Sequence, residues 1–311
     1  MTAIIPPRLA RGQTIGIVAP SGPVKPERFA HGLALLGGEF RLRVAPSVTA
    51  PRDPGTPSYL AASDDVRTAE LSAMLGDPDI RAIIVARGGY GLMRILPRLD
   101  PALLRRDPKP VVGFSDATAL LAWAYAAGVR GIHGPMISQL GELANADIAR
   151  LIATLTDPHA PGRRPWTLAG HGSGVHRGRL VATNLTMMSM LAATPWALPL
   201  AGSIVVMEEV GERPYELDRY LTHLALTDQL ALPAGFVIGD LTRCVDPNPP
   251  TGTADAPDAA LAAILERLAG RPVAVGAPIG HGPRNEALPF GAACVLDLDA
   301  GTFDVTEAAV A

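Results

Sequence analysis

Lys109-Pro-Val-Val-Gly-Phe-Ser-Asp-Ala-Thr-Ala-Leu-Leu121 is the stretch whose reading decides the fold. Residues 111–114 form an apolar run without a polar break, as in a strand covered on both faces. Helical spacing begins directly after Ser115, over about residues 117–127. A strand passing straight into a helix is one half of a βαβ unit, and the same pattern recurs upstream. Residues 14–19 read as a strand that turns at Pro20-Ser21-Gly22-Pro23 into a helix over 27–36, stopped by Gly37-Gly38. A second strand is expected at 41–45. A helix follows at 64–75, with Ser63 as its cap and Gly76-Asp77-Pro78 as its stop. Residues 82–86 read as a further strand, with a helical stretch around 92–96. The prediction for residues 1–158 is an α/β domain, doubly wound around a parallel sheet.

Beyond it the character changes. Residues 159–174 are rich in Pro, Gly, Arg and His without periodicity and read as a linker. In 175–311, short strands at 203–207, 235–239, 273–275 and 293–298 are separated by long connections. Helices are expected at 185–191, 216–226 and 259–268. Residues 246–258, crowded with Pro, Asp and Thr, are expected to be a mobile loop. No internal repeat of solenoid period is present.

Composition narrows the function classes. A chain of 311 residues buries a sizeable core without a disulfide or metal staple. A net charge of −3 and the lack of a long basic stretch leave no electrostatic footprint for nucleic acid or an anionic membrane. Cys244 and Cys294 sit in apolar, strand-like contexts and read as buried thiols. No CxxC or HExxH motif signals a metal, and no cofactor is expected. Residues 1–11 lack the apolar core of a secretory signal, and apolar windows such as 120–127 are too short to span a bilayer. A cytoplasmic protein is expected.

Four places carry possible chemistry. Ser115 at the strand-to-helix turn resembles a nucleophile elbow, with Gly113 allowing close packing and the following N–H groups facing a developing oxyanion. Ala117 stands where the second glycine of GxSxG belongs, and helix capping by Ser115 or Asp116 is the competing reading. Val85-Ala-Arg-Gly-Gly-Tyr-Gly places glycines at a strand end, either as an ordinary turn or as a backbone approach to a ligand. Glu208 and Glu209 follow the apolar run 204–207 and read as rigidly held acids or as solvated loop residues. His281 sits in a glycine-flanked turn suited to moving protons. A nucleophilic serine needs a base, and the base needs an acid to hold its tautomer. The order Ser, Glu, His is that of α/β-hydrolase triads.

These blocks, taken in order, resemble the L,D-carboxypeptidases, the muramoyltetrapeptide carboxypeptidases and microcin C immunity peptidases. The resemblance runs through Gly16-Ile-Val-Ala-Pro-Ser-Gly, Tyr59-Leu-Ala with Asp64-Asp-Val-Arg, Arg87-Gly-Gly-Tyr-Gly and Val112-Gly-Phe-Ser-Asp. It continues through His133-Gly-Pro-Met, Asn184-Leu, Met207-Glu-Glu-Val-Gly-Glu and Gly280-His-Gly, up to Leu288-Pro-Phe-Gly. It implies a β-rich, barrel-like C-terminal domain. The implied triad is Ser115 as nucleophile, Glu208 as acid (Glu209 being the alternative) and His281 as base. The Gly89 and Asp116 N–H groups would form the oxyanion hole. Arg87, Gly88, Tyr90 and Asn184 are expected near the substrate, with Arg87 or Arg284 taking its terminal carboxylate.

The implied reaction releases terminal D-alanine from murein tetrapeptides, cutting after an L-linked diamino acid, in a homodimer. A microcin-type nucleotide substrate, with Trp166 stacking on the base, and a non-catalytic muropeptide-binding protein are the alternatives. Where family members carry Gly-Gly before Asn-Leu, this chain has Ala182-Thr183, which would narrow a pocket if those positions face the ligand.

Overall fold

The computed structural model describes residues 3–248 and 258–311, so most of the expected loop at 246–258 lies outside the described residues. Two compact units are present. The first comprises the described residues up to 160 with Glu286–Gly291 and Ala308–Ala311; the second comprises Pro161–Asn285 and Ala292–Glu307. The strands begin with β1 (Thr14–Val18), β2 (Arg41–Val44), β3 (Ile80–Val85), β4 (Val111–Gly113) and β5 (Ile132–His133). Next come β6 (Gly162–Arg163), β7 (Ala169–His171), β8 (Val175–Asn184), β9 (Ile204–Val210), β10 (Gly235–Thr242) and β11 (Val273–Val275). The last three are β12 (Leu288–Pro289), β13 (Ala293–Asp297) and β14 (Thr302–Val305).

In the first unit the sheet order is β12-β5-β4-β3-β1-β2, parallel except for β12 against β5. The chain starts in the middle, adds β2 on one side, then β3, β4 and β5 on the other. That is a doubly wound order, as predicted. Where the winding reverses, between β1 and β3, the loops at the carboxyl ends of the strands diverge and leave room for a ligand. The loops after Val18, Val85 and Gly113 are the ones that matter below. β3 is buried except at Arg81 and β4 throughout, as in strands covered on both faces. Ser63 caps the helix Asp64–Gly76 as expected, its hydroxyl accepting from the Val66 N–H at 3.3 Å.

The second unit holds an eight-stranded mixed sheet in the order β6-β14-β13-β8-β9-β10-β11-β7, the barrel-like element that was expected. Strands β8 to β11 are parallel; the others pair antiparallel. Ten-residue β8 joins the two halves: Val175 to Arg179 pair with β13, and Leu180 to Asn184 with β9. Its first half is charged and part-exposed, which hid it from an apolar-run reading.

Residues 159–174 contain β6 and β7, whose side chains are mostly exposed and so leave no apolar signal. Trp166, in the same segment, is 7% exposed and stacks on Phe303, with ring centroids 5.2 Å apart and planes at 3°. It packs into the second unit and presents no open face for a base. Ala182 and Thr183 are likewise fully buried in β8.

Candidate active site

In the first unit the turn after β4 holds Ser115. Its φ is +58°, a left-handed conformation that a residue with a side chain adopts at a cost of roughly 1–3 kcal/mol. A residue in that conformation cannot start an α-helix. The chain therefore makes one 3-10 turn, Ser115–Ala117, before the helix Thr118–Ala126. Neither Ser115 nor Asp116 caps that helix, which removes the capping alternative. A Cβ on Gly113 would lie 2.5 Å from the Ala117 Cβ, so the strand and the turn pack this closely only with glycine there. Ser115 is part-exposed, while Asp116 beside it is 3% exposed.

The glycine turn after β3 lies against this serine. A Cβ on Gly88 would approach the Ser115 Oγ to 3.2 Å. Gly89 has φ +110°, and the Gly88 carbonyl accepts from the Gly22 N–H at 3.0 Å. Arg87 is exposed, and its Nη1 donates to the Pro23 carbonyl at 2.8 Å; it has no carboxylate partner among the described residues. Tyr90 is 49% exposed and its ring sits 5.8 Å from that of Tyr59, also exposed. Asp116 turns inward. Its Oδ2 accepts from the Ser21 hydroxyl at 2.6 Å and from the Leu92 N–H at 3.0 Å. Burial pushes its carboxyl up; those two bonds and the Arg67 charge oppose the rise.

In the second unit, Glu208 and Glu209 lie inside β9, not after it, because the ladder continues past the apolar run. Asn184 pairs with Glu208, and Leu241 with Glu209. Neighbouring side chains on a strand start toward opposite faces, yet the two carboxylates remain near enough for one Asn184 nitrogen to reach both. Glu208, fully buried, accepts from His281 Nδ1 at 2.7 Å. Glu209 Oε2 accepts from the Thr186 N–H at 2.7 Å and its hydroxyl at 2.8 Å. Burial and the Glu208 charge raise the Glu209 carboxyl, against four hydrogen-bond donors. His281 comes this near because Gly280, at φ +139°, has no side chain: a Cβ there would lie 2.8 Å from that of Asp240 and 3.3 Å from that of Glu208.

A bond from Nδ1 to a carboxylate fixes the neutral imidazole with its basic lone pair on Nε2. A buried acid bonded to a half-buried histidine is an arrangement that can serve general acid–base chemistry. Residues 15–134 match the LD-carboxypeptidase N-terminal domain, and residues 177–296 the LD-carboxypeptidase C-terminal domain. The chain belongs to the LD-carboxypeptidase family.

The chain is similar to two relatives over most of its length. It is 34% identical to the murein tetrapeptide carboxypeptidase of Pseudomonas aeruginosa, over 77% of this chain and 80% of that one. It is 31% identical to a protein named a probable murein peptide carboxypeptidase in Bacillus subtilis, over 94% and 91%. Among solved structures, the muramoyltetrapeptide carboxypeptidase of Oxalobacter formigenes superposes with a TM-score of 0.79 at 27% identity, covering 95% of this chain and 99% of that one. The protein is therefore a peptidase with the fold of its family.

Asn184 was expected beside the substrate. It is 4% exposed and its amide is engaged at both ends. Oδ1 accepts from the Met187 N–H at 3.2 Å, capping the helix Leu185–Leu191; Nδ2 donates to Glu208 at 3.2 Å and Glu209 at 2.8 Å. Its side chain bridges the two carboxylates. The sequence reading also passed over two polar residues, Ser21 and Asp240. Ser21, in a turn and in the block Gly16–Gly22 but given no role there, is fully buried on Asp116. Asp240 sits where the β9–β10 register breaks, beside the His281 turn. Among the described residues no group of three or more His, Cys, Asp or Glu is placed to hold a metal, and no helix is long and apolar enough to cross a membrane.

Burial by itself lowers the His281 pKa, but the charges of Glu208, Glu209 and Asp240 outweigh it and hold the imidazole above its ordinary value of 6.5. The interaction favours the charged ring. Its contribution to stability is full below the unfolded pKa and is lost as pH rises through the raised folded value. If His281 is the base, the neutral form is the active one. The acid limb of the kcat/KM profile is then expected above pH 6.5, and Glu208→Gln should move it down. A limb unmoved by Glu208→Gln would detach His281 from the titration.

Proposed function

We propose that this protein is a serine L,D-carboxypeptidase that releases terminal D-alanine from murein tetrapeptides. The observation that carries the reading is the 2.7 Å bond from His281 Nδ1 to buried Glu208, in a chain whose Ser115 sits in a left-handed elbow beside a glycine turn. Ser115 Oγ attacks the carbonyl of the L-linked residue while His281 takes its proton. The oxyanion is received by the N–H groups of Gly89 and Asp116, each worth roughly 3 kcal/mol to the barrier. His281 returns the proton to the leaving amine of D-alanine, and water then hydrolyses the acyl-enzyme with the same base. A murein tetrapeptide as substrate is supported by the names of the relatives at 31% and 34% identity. A cytoplasmic place, a homodimeric state and a part in peptidoglycan recycling rest on the resemblance to the family.

Incubation of the purified protein with a muramyl tetrapeptide tests the reading: free D-alanine is expected, and a pentapeptide ending in D-alanyl-D-alanine should be left intact. Cleavage of the pentapeptide in preference, or of a peptidyl nucleotide alone, would replace the substrate assignment. Arg87 is the group we assign to the terminal carboxylate, since it is exposed next to the glycine turn and free of acidic partners among the described residues. Arg87→Ala is expected to raise KM for the free acid about tenfold or more. It should also erase the preference for a free acid over the C-terminal amide. An unchanged acid-to-amide ratio would remove Arg87 from recognition.

A further inference from the structure

One carboxylate oxygen in the first unit joins the carboxyl-end loops of three strands. Oδ2 of Asp116, on the loop after β4, accepts from the Ser21 hydroxyl on the loop after β1 and from the Leu92 N–H at the end of the glycine turn after β3. Both Asp116 and Ser21 are withdrawn from solvent, at 3% and 0% exposure. The same two loops are held from another side. Buried Arg67 donates to the Gly91 carbonyl at 3.0 Å and to the Pro20 carbonyl, one residue before Leu92 and one before Ser21 respectively. A third bond runs directly between the loops, from the Gly22 N–H to the Gly88 carbonyl. The glycine turn itself has no side chains to anchor it at 88, 89 and 91, and Gly89 and Gly91 have φ of +110° and +135°. Such a segment has many conformations open to it, so its geometry depends on outside ties.

We propose that the Asp116 side chain is a positioning residue for the reaction: by gripping Ser21 and Leu92 it fixes the glycine turn, and with it the Gly89 N–H, against the segment that carries Ser115 and the Asp116 N–H. The inference rests on the function proposed above and adds to it. Both oxyanion donors belong to segments that this one side chain ties together. An oxyanion hole works only if its donors are set before charge develops, because reorganisation during the reaction would consume the gain. Loosening the tie should therefore weaken binding of the transition state and leave binding of the ground state alone.

The test compares Asp116→Ala, Asp116→Asn and Ser21→Ala in the full chain. Tetrapeptide turnover is measured together with the affinity of a phosphonate mimic of the tetrahedral intermediate. Asp116→Ala is expected to lose about thirtyfold or more in kcat with KM within about twofold, and affinity for the mimic should fall in step. Asparagine keeps an oxygen for both donors and should recover most of kcat. Ser21→Ala, which breaks one of the two bonds, should fall in between. A folded Asp116→Ala with kcat within about threefold of wild type overturns the proposal, as does a loss shared equally by substrate and mimic. Should Asp116→Ala not fold, Ser21→Ala decides, and an unchanged kcat there overturns it.

The rate of labelling by a fluorophosphonate separates this idea from the substrate reading. A wild-type protein that labels but leaves the tetrapeptide uncut counts against the substrate, and the variants' labelling rates then judge the clasp. A protein that neither labels nor cleaves overturns both.

Discussion

Ser115→Ala is expected to lower D-alanine release from a murein tetrapeptide by at least about ten-thousandfold, with the protein still folded and still binding the peptide. Removing the nucleophile of a serine peptidase leaves only what the oxyanion donors and substrate binding supply, which is roughly a thousandfold over water. The substitution deletes one oxygen from a part-exposed side chain and leaves a Cβ where there was one before, so no cavity forms in the core. Alanine can hold a left-handed φ like the +58° of Ser115, as Ala193 does at +59° in this chain. Release assayed with a D-amino acid oxidase couple checks the first half, and peptide binding by calorimetry the second. A variant that still turned over within about tenfold of wild type would remove Ser115 from the chemistry.

The acid–base pair makes the second large prediction, and the two neighbouring glutamates give it an internal control. Glu208→Gln should cost about a thousandfold to ten-thousandfold in kcat. The amide that replaces the carboxylate no longer holds the proton on Nδ1 or stabilises the imidazolium. Glu209→Gln removes a carboxylate bonded to Asn184, Thr186 and the Val210 N–H, with no bond to His281. It should cost no more than about tenfold, through a less well-held Asn184. Steady-state kinetics of the two single variants read the contrast directly. Equal losses would mean that the pair acts as one charged unit, and a larger loss at Glu209 would exchange their roles.

The parallel sheet was legible because its strands are buried on both faces and so appear as unbroken apolar runs, and because each is punctuated by glycine or proline before a helix. That logic found β1, β3 and β4 within a residue or two. It failed where a strand does not need apolar residues. Half of β8 and all of β6 and β7 are part-exposed or exposed. Their pairing is held by the backbone ladder, which side chains do not announce. The same blindness ended β9 at Met207, three residues short, and so placed both glutamates in a loop.

Ser115 was visible from its place between a strand and a helix. The period-two rule lets only one of two neighbouring glutamates readily face His281, and the sequence favoured Glu208. Asn184 could be seen but its role could not, because a side chain engaged at both ends is defined by neighbours distant in the chain. Ser21 was visible in its turn and in the block Gly16–Gly22, but its partner was not, since only the folded loops bring it to Asp116.

The proposed reaction passes an acyl group through Ser115. A depsipeptide analogue of the tetrapeptide, with an ester in place of the scissile amide, acylates the enzyme faster than the acyl group is removed, so the intermediate accumulates. Rapid quenching followed by mass mapping of the protein measures it. The account predicts a pre-steady-state burst close to one equivalent and a peptidyl adduct on the segment containing Ser115, absent from Ser115→Ala. Steady turnover without burst or adduct, or an adduct on any other residue, would contradict it.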